Sequence, residues 1–371
     1  MNKKMVIYVI CLLGCLICGC GESQVLSSVS SGNSEYEQQE ITVTGDIENN
    51  KVISVAELRK LPQKEVQGSF QRSTGMTEIV KGSGPDVKDI FRKLGIDVTH
   101  YEGIGFVGRD GYYCLVTPEI MQNKELILAL AIDGNNELGN DMRPARLCAE
   151  GEFGPYWVRM VDKLILYKEI PKKEIKSVWI FDNLTAGIEP YEYEYYGSQD
   201  QAIELAQIFA RFDNVDGRAF FTMKSADGFT KNEALSMVNK SYYIKIEGKD
   251  APMNIAPNIK LGMNVKHIAW FSTNADAVIF PEQMRELIGT RRVAGRDGIS
   301  LIDILEEVQV RGIEGKQFEL LGVNEERVKL RYQDLARGMV VRSNDGNYAV
   351  VWEAGTNLPS VRNMMRIRAI Q

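Results

Sequence analysis

A pattern that occurs early in this chain and returns near its end constrains the fold more than any other feature of the sequence. The segment 52–61 (VISVAELRKL), a strand-like run followed by a helical one, matches the segment 278–287 (VIFPEQMREL). The segment 84–94 (GPDVKDIFRKL), whose apolar residues follow helical spacing, matches the segment 298–308 (GISLIDILEEV). Because a repeated pattern specifies a repeated supersecondary unit, we expect related structural units at both ends of the chain.

The repeats agree in smaller details as well. Asp86 and Ser300 lie where the N-caps of the two helices belong. The residues Val158-Arg159, which precede an apolar strand, match Val361-Arg362. The alternative to a repeat is chance similarity among amphipathic segments.

The middle of the chain contains a weaker copy of the pattern. The turns at residues 110–112 and 132–134 match the segments 227–229 and 246–248. The segment 198–212 is predicted to be helical, with Ser198 and Gln201 spaced as a capping box. The opening strand and helix of the first unit have no clear counterpart here. The sequence therefore predicts three related units, of which the first is complete and the later two are trimmed.

Within each unit, short strands separated by glycine-containing turns surround one or two helices, which predicts an α+β fold. We place the units at residues 41–186, 187–275 and 276–371. The segment 189–196, rich in acidic residues and tyrosine, is interpreted as a solvated linker strand.

The first forty residues predict export and attachment to a membrane. Lys3 and Lys4 precede the apolar run 5–18, which has signal-peptide length and is too short for a comfortable membrane span. The segment ICGC, which ends at Cys20, is similar to the lipobox of bacterial lipoproteins, so residues 1–20 are the predicted signal peptide and Cys20 the lipid anchor. Cys15 is a competing site, and an uncleaved signal anchor is the alternative reading. Residues 21–40, rich in Ser, Glu and Gln, form the predicted flexible tether.

Charge and cysteine content restrict the partners. The net charge of −6, without a clustered basic stripe, argues against a nucleic-acid partner. Of the six cysteines, only Cys114 and Cys148 lie outside the signal region, and they could form one disulfide or remain two buried thiols.

Residues 41–167 resemble the molybdopterin-binding domain of the sulfite oxidase family of oxidoreductases. Four stretches carry the resemblance: the opening strand 41–45, the helical segment 55–62 that ends in Leu-Pro, the Asp-Gly-Tyr turn within 108–112, and the closing elements of 146–159. The resemblance implies a strand-rich molybdopterin-binding fold, repeated in degenerate form. It also implies that Arg146, Gly151, Phe153, Gly154 and Arg159 face the cofactor.

The sequence departs from the family where the family binds molybdenum. The ligand cysteine of the family falls in the segment 70–75 (FQRSTG), where this chain has Arg72. A guanidinium stays protonated and cannot replace a thiolate as a metal ligand. His100 and His267 stand alone without metal-ligand spacing. We therefore assign no catalytic and no metal-binding residue.

Two functions from different classes follow. The first is a non-catalytic binding or scaffold lipoprotein outside the cytoplasmic membrane, with no cofactor and with a small ligand in the old cofactor cleft as a candidate partner. The second is an exported oxidoreductase that retains molybdopterin. Molybdenum content separates the two.

Overall fold

The computed structural model describes residues 35–71, 76–151, 156–257, 259–260, 262–293 and 295–370. Short strands and short helices in several sheets confirm the predicted strand-rich α+β class. The strands of the first part are β1 (Glu40–Gly45), β2 (Lys51–Ser54), β3 (Gln63–Gln71), β4 (Thr77–Pro85), β5 (Gly103–Gly108), β6 (Tyr113–Val116), β7 (Leu126–Ala129), β8 (Ala131–Ile132), β9 (Arg146–Ala149) and β10 (Val161–Tyr167). The helices of this part are α1 (Val55–Leu58), α2 (Val87–Lys93) and α3 (Pro118–Asn123).

The second and third parts follow the same plan. The second has strands β11 (Ser177–Ile180), β12 (Tyr191–Tyr195), β13 (Ser198–Glu204), β14 (Phe220–Ser225), β15 (Thr230–Ala234), β16 (Tyr243–Lys245), β17 (Met253–Ile255) and β18 (Ile268–Ser272), with helices α4 (Phe181–Leu184), α5 (Leu205–Phe209) and α6 (Leu235–Ser241). The third has strands β19 (Asp276–Ile279), β20 (Arg291–Val293), β21 (Arg296–Ser300), β22 (Gln317–Gly322), β23 (Arg327–Arg331), β24 (Gly338–Arg342), β25 (Tyr348–Trp352) and β26 (Met364–Ile370), with helices α7 (Pro281–Ile288), α8 (Leu301–Glu307) and α9 (Tyr332–Leu335).

Within the described residues, one order of elements occurs three times. A strand and a helix are followed by two strands and a helix, again by two strands and a helix, and then by closing strands. The first part adds β1 before this series and the two-residue strand β8 within it. The middle copy begins at Ser177 with β11 and α4, so the opening strand and helix that the sequence seemed to lack there are present. The division into domains at residues 41–186, 187–275 and 276–371 stays a prediction.

Two sheets organise the molecule. The first part forms a five-stranded sheet in the order β2-β1-β10-β5-β6, in which β1 and β10 run parallel. The second and third parts share an eight-stranded sheet in the order β15-β14-β18-β19-β11-β26-β22-β23. Because β11 pairs with β26 and β19 pairs with β18, the opening strand of each part completes the sheet of the other.

The two strands at the centre of this sheet contribute side chains to two apolar clusters. Strands β11 and β19 run parallel, with Ile180 opposite Ile279, and their side chains alternate between the two faces. Trp179 and Val278 belong to one apolar cluster, while Ile180 and Ile279 belong to another. Burial on both faces explains why β11 and β19 are largely apolar.

Local signals at the two repeated helices are confirmed. Asp86 caps α2 by accepting a hydrogen bond from the backbone N–H of Lys88 at 2.8 Å. Ser300 caps α8 by accepting one from the N–H of Asp303 at 3.3 Å. The predicted apolar face of α2 is buried at Ile90.

The structure corrects two predictions for the middle of the chain. The segment 198–212 is not one helix, because Ser198–Glu204 is a strand and only Leu205–Phe209 is helical. Tyr196 and Gly197 both have positive φ, 50° and 78°, which is the backbone of a two-residue hairpin turn. This turn pairs β12 with β13, so the segment 189–196 is part of a hairpin rather than a linker.

The end of the predicted tether also belongs to the fold. Tyr36 is buried, and its hydroxyl donates to the carbonyl oxygens of Pro144 at 2.9 Å and of Leu130 at 3.3 Å. The predicted signal peptide, the lipid anchor Cys20 and the tether before residue 35 lie outside the described residues. In the described part of the chain, no helix has the length and apolar character needed to cross a bilayer.

Candidate functional site

The structure places Arg146 in the interior of the first part. This residue begins β9 and is 5% exposed. Its guanidinium lies 5.3 Å from the centre of the Trp157 ring, and Nη1 lies 3.6 Å from the sulfur of Met142. Its Nε has no hydrogen-bond partner, and no carboxylate in the described residues forms an ion pair with it. Among the described residues, Arg146 is therefore a buried cation without an ion-pair partner.

The electrostatic surroundings of Arg146 agree with this description. Burial lowers the pKa of Arg146, and Arg159 lowers it further, whereas Asp133 and Asp141 raise it. Arg159 itself is half exposed, with its Nη1 3.6 Å from a carboxylate oxygen of Asp141. The structure thus brings two of the predicted cofactor-facing residues, Arg146 and Arg159, into one electrostatic neighbourhood.

The other predicted site residues are only partly defined. Gly151 is exposed at the turn after β9, where its N–H donates to the carbonyl oxygen of Gln67 at 3.3 Å. Phe153, Gly154 and Arg72 lie outside the described residues. The segment that aligns with the metal-ligand position of the family is therefore known here from sequence alone.

The two remaining cysteines do not fit a molybdenum ligand. Cys114 and Cys148 are both buried, and neither forms a disulfide. Burial raises the pKa of each thiol to about 12, so both are protonated at neutral pH. A Cβ added to Gly82 would lie 2.7 Å from the sulfur of Cys148, which shows how closely strand β4 covers this thiol. A metal would need a deprotonated and accessible sulfur, and neither cysteine offers one.

Metal-ligand clusters are also missing from the parts of the chain that the structure describes. No group of three or more His, Cys, Asp or Glu side chains there could hold a metal ion. His100 and His267 are exposed, and each lies 3.8 Å from one carboxylate, that of Asp97 and of Asp250 respectively.

A cavity of about 500 Å³ lies where the central parallel strands β11 and β19 end. We call it the Asp182 cavity. Clefts at the carboxyl ends of adjacent parallel strands are common ligand sites, because the chain leaves both strands there and opens a crevice. Its walls come from the second and third parts of the chain: Phe181, Asp182, Thr185, Ile203, Ile246, Glu247, Gly248, Ala251, Pro252, Phe280, Pro281, Glu282, Gln283, Arg342 and Tyr348.

The floor of the Asp182 cavity is aromatic and its rim is acidic. The rings of Phe181 and Phe280 lie 4.3 Å apart at its base. Glu282 forms ion pairs with Arg285 at 3.2 Å and with Arg342 at 3.6 Å, and the hydroxyl of Tyr348 donates to it at 3.2 Å. The lining residues thus include three carboxylates, those of Asp182, Glu247 and Glu282, and one guanidinium, while Arg285 pairs with Glu282 from outside the lining.

Asp182 differs from the other acids of the cavity. Its side chain is exposed to solvent, yet burial by the surrounding walls is the main cause of its raised pKa. Its own N–H and Arg342 oppose this rise, and Glu282 adds to it. Within the described residues no other side chain donates a hydrogen bond to the Asp182 carboxylate or forms an ion pair with it. An accessible but enclosed carboxylate without a partner is suited to accept a hydrogen bond from a ligand.

Sequence reasoning missed this cavity. Asp182 and Glu282 each follow a short apolar strand. An acidic residue in that position indicates only where a strand ends, and it does not indicate a ligand site. The cavity depends on the pairing of β11 with β19, which are almost a hundred residues apart, and no local signal specifies that pairing.

Comparisons with known proteins identify no family. No known family matches the chain, and no curated protein matches it either. Among solved structures, the sulfane dehydrogenase SoxCD from Paracoccus pantotrophus is similar, with 12% identity and a TM-score of 0.33 over 66% of this chain and 78% of that one. A TM-score this low does not establish a common fold. The molybdopterin-binding fold therefore stays a prediction, whereas the strand-rich α+β class stands on the structure itself.

Proposed function

We propose that this protein is an exported, lipid-anchored binding protein that takes a small organic cation into the Asp182 cavity and catalyses no reaction. The observation that carries the proposal is the unpartnered Asp182 carboxylate on the wall of a cavity between two units. A volume of about 500 Å³ suits a small molecule.

The walls indicate the ligand's chemistry. Asp182 and Glu247 have no ion-pair partner among the described residues, so the rim carries uncompensated negative charge. A primary amine or a guanidinium would donate to Asp182 in a charge-assisted hydrogen bond. The rings of Phe181 and Phe280 would meet the apolar part of the ligand, and an aromatic face also attracts a cation. An anionic ligand would meet the carboxylates of Asp182 and Glu247, which have no ion-pair partner among the described residues, and this disfavours it.

The binding proposal is tested with benzylamine and agmatine as probes and benzoate as the anionic comparison. We expect both amines, but not benzoate, to raise the melting temperature of the protein in a saturable way. Asp182→Asn should weaken amine binding by about tenfold or more, since a hydrogen bond to a charged group contributes about 1.5–3 kcal/mol. Glu192→Gln removes an exposed acid from β12, outside the cavity, and should leave binding unchanged. Equal amine binding by wild type and Asp182→Asn would reject this site.

The anchoring proposal has its own experiment. The full chain is expressed in a bacterium supplied with an alkyne-tagged palmitate, and labelled protein is detected after conjugation to a fluorophore. We expect Cys20→Ser to abolish labelling and to move the protein out of the membrane fraction. We expect Cys15→Ser to stay labelled and to stay in the membrane fraction. The opposite pattern would make Cys15 the anchor. A wild-type protein that takes up no label would reject the lipoprotein proposal.

A second candidate function is supported by Arg146. A buried guanidinium without an ion-pair partner in the described part of the chain, in the segment that resembles a cofactor-facing one, suits the phosphate of a molybdopterin. This candidate is an exported molybdopterin-dependent oxidoreductase, and it lacks a protein thiolate for the metal among the described residues. Molybdenum analysis of protein purified from its native host decides between the candidates. Roughly stoichiometric metal would support the oxidoreductase, and metal-free protein would support the binding protein.

A further inference from the structure

A second cavity, of about 340 Å³, lies at the other end of β11 and has the opposite charge. The segment that connects β10 to β11 passes it and contributes Lys173. Strands β14, β15 and β18 and the residues after α8 form the rest of its wall. We call it the Lys173 cavity; its lining includes Lys173, Phe220, Thr222, Lys224, Ser272 and Arg311.

The amine of Lys173 has neutral partners only. Its Nζ donates to the hydroxyl of Thr222 at 2.6 Å and to the carbonyl oxygen of Ser272 at 3.3 Å. It also lies 4.7 Å from the centre of the Phe220 ring. No carboxylate in the described residues forms an ion pair with Lys173. The Lys173 side chain is partly buried, and an ammonium held there without an anion costs free energy that a bound anion would recover.

The other charged groups of the Lys173 cavity do not supply that anion. Glu307, beside the lining residues Lys224 and Trp270, is already engaged by Lys224 at 2.5 Å and by the indole N–H of Trp270 at 2.9 Å. Arg311 is exposed and has no ion-pair partner among the described residues. The wall residues from β15 and β18, Thr230, Asn232, Trp270 and Ser272, are uncharged. Lys173 and Arg311 are therefore two uncompensated cations on one cavity.

An unpartnered hydroxyl points to the same kind of ligand. Ser272 is 1% exposed and lines the cavity, and its Oγ has no hydrogen-bond partner among the residues that the structure describes. A buried hydroxyl without a partner is unfavourable, so native structures usually satisfy it with protein, water or a ligand. An acceptor oxygen placed in the cavity would satisfy this donor and neutralise Lys173 together.

From these observations we infer that the Lys173 cavity binds a small oxyanion, such as a carboxylate or a phosphate, through Lys173, Arg311 and the hydroxyl of Ser272. This site is independent of the Asp182 cavity, because the two lie at opposite ends of β11 and carry opposite charge. Nζ of Lys173 and Oγ of Ser272 would donate to the oxygens of the anion, and Arg311 would close the open side.

Binding at this site should be coupled to proton uptake. Burial lowers the pKa of Lys173 to about 7, and no charged group contributes to that change. A bound anion favours the ammonium form and raises this pKa, so binding above pH 7 requires a proton from solution. Affinity is therefore expected to be highest below pH 7 and to fall as the pH rises.

The test is calorimetric titration of the full chain with sulfate, inorganic phosphate and succinate. Sulfate is the probe for the pH series, because its own charge is constant from acidic to alkaline pH. Measured at pH 8 in two buffers of different ionisation enthalpy, sulfate binding should take up close to one proton. Tighter binding of phosphate than succinate would identify a phosphate-type ligand, and the reverse a carboxylate.

Three variants distinguish sulfate binding in the Lys173 cavity from non-specific attraction of anions to the protein surface. Lys173→Met keeps the length of the side chain and should weaken sulfate binding about tenfold at pH 6.5 and abolish proton uptake. Ser272→Ala should weaken binding without changing proton uptake. Lys172→Met removes the neighbouring, exposed lysine, which pairs with Glu169, and should change neither. Failure of all three probes to bind saturably, or unchanged proton uptake in Lys173→Met, would overturn the inference.

Discussion

The rings of Phe181 and Phe280 lie 4.3 Å apart, and each phenylalanine directly follows one of the two parallel strands at the centre of the large sheet. The two residues occupy equivalent positions in the second and third copies of the repeat. Strand β11 of the second copy pairs with β26 of the third, and β19 of the third pairs with β18 of the second. The contact between the two rings therefore lies where the two copies exchange strands. The two copies are therefore expected to unfold together.

Truncation of one ring should destabilise both copies. Phe280 is buried and also packs against Phe271, with ring centroids 6.0 Å apart. Phe280→Ala should lower the free energy of unfolding by about 3–5 kcal/mol, because it removes apolar contacts and leaves a cavity. Urea denaturation followed by tryptophan fluorescence measures this change. Phe229→Ala is the control, since Phe229 is 55% exposed and its removal should cost less than about 0.5 kcal/mol. A similar small loss for Phe280→Ala would contradict the packing role.

Asp276 should make stability depend on pH. This residue is 3% exposed and accepts a hydrogen bond from the indole N–H of Trp179 at 2.8 Å. Burial raises its pKa from 3.8 to about 6; the hydrogen bond from Trp179 opposes the rise, Asp213 adds to it and Arg366 opposes it. The folded protein thus holds this proton more tightly than the unfolded chain. Its contribution to stability is complete below about pH 4 and is lost as the pH rises through about 6.

Asp276→Asn should remove this dependence while it keeps an acceptor for Trp179. We expect the stability of the wild type relative to this variant to fall by up to about 3 kcal/mol between about pH 4 and about pH 7. Chemical denaturation of both proteins across that range measures the difference. A difference that stays constant with pH would show that Asp276 has an ordinary pKa.

Short-range features of the fold were predictable from sequence. The caps Asp86 and Ser300 act within three residues, and the apolar spacing of α2 marks its buried face. The same kind of reasoning failed at residues 198–212, where Ser198 and Gln201 had capping-box spacing. There the turn at Tyr196 and Gly197 places Ser198 opposite Tyr195 in a hairpin, and strand pairing outweighs helix propensity.

Non-local features were not predictable in this way. The register that places Ile180 beside Ile279 joins distant segments, and the Asp182 cavity exists only because of it. Lys173 stands in a run of ordinary surface-type residues, and its partial burial follows from its contacts with Thr222 of β14 and Ser272 of β18. For Arg146 the resemblance selected a residue that the structure places in the interior without an anion, although its predicted role stays untested.

The two buried thiols should be chemically silent in the folded protein. Cys114 and Cys148 are buried without a disulfide, and burial raises the pKa of each to about 12. In a form that lacks the first 34 residues, they are the only cysteines. We expect negligible reaction with Ellman's reagent at pH 8, and two thiols per chain after unfolding in guanidinium chloride. Cys114→Ser and Cys148→Ser should each leave one. Rapid reaction of the native protein, or a requirement for reductant, would contradict this assignment.

The last prediction concerns the junction between the first and second parts. Nζ of Lys231 lies 2.6 Å from Oε1 of Glu233, and Glu233 is fully buried. The backbone of Glu233 also forms a bridge to Tyr112, and the hydroxyl of Tyr242 donates to the carbonyl oxygen of Asp110 at 3.3 Å. Burial raises the pKa of Glu233, and Lys231 opposes that rise.

Loss of one partner should cost far more than loss of both. Lys231→Met leaves the Glu233 carboxylate buried without its cation, so we expect about 3–5 kcal/mol of destabilisation in urea denaturation. In the double variant Lys231→Met, Glu233→Leu no buried charge remains, and most of that stability should return. Lys266→Met, which breaks the exposed pair with Asp250, should cost less than about 1 kcal/mol. Additive losses in the double variant would mean that the two side chains stabilise the junction separately, and not as an ion pair.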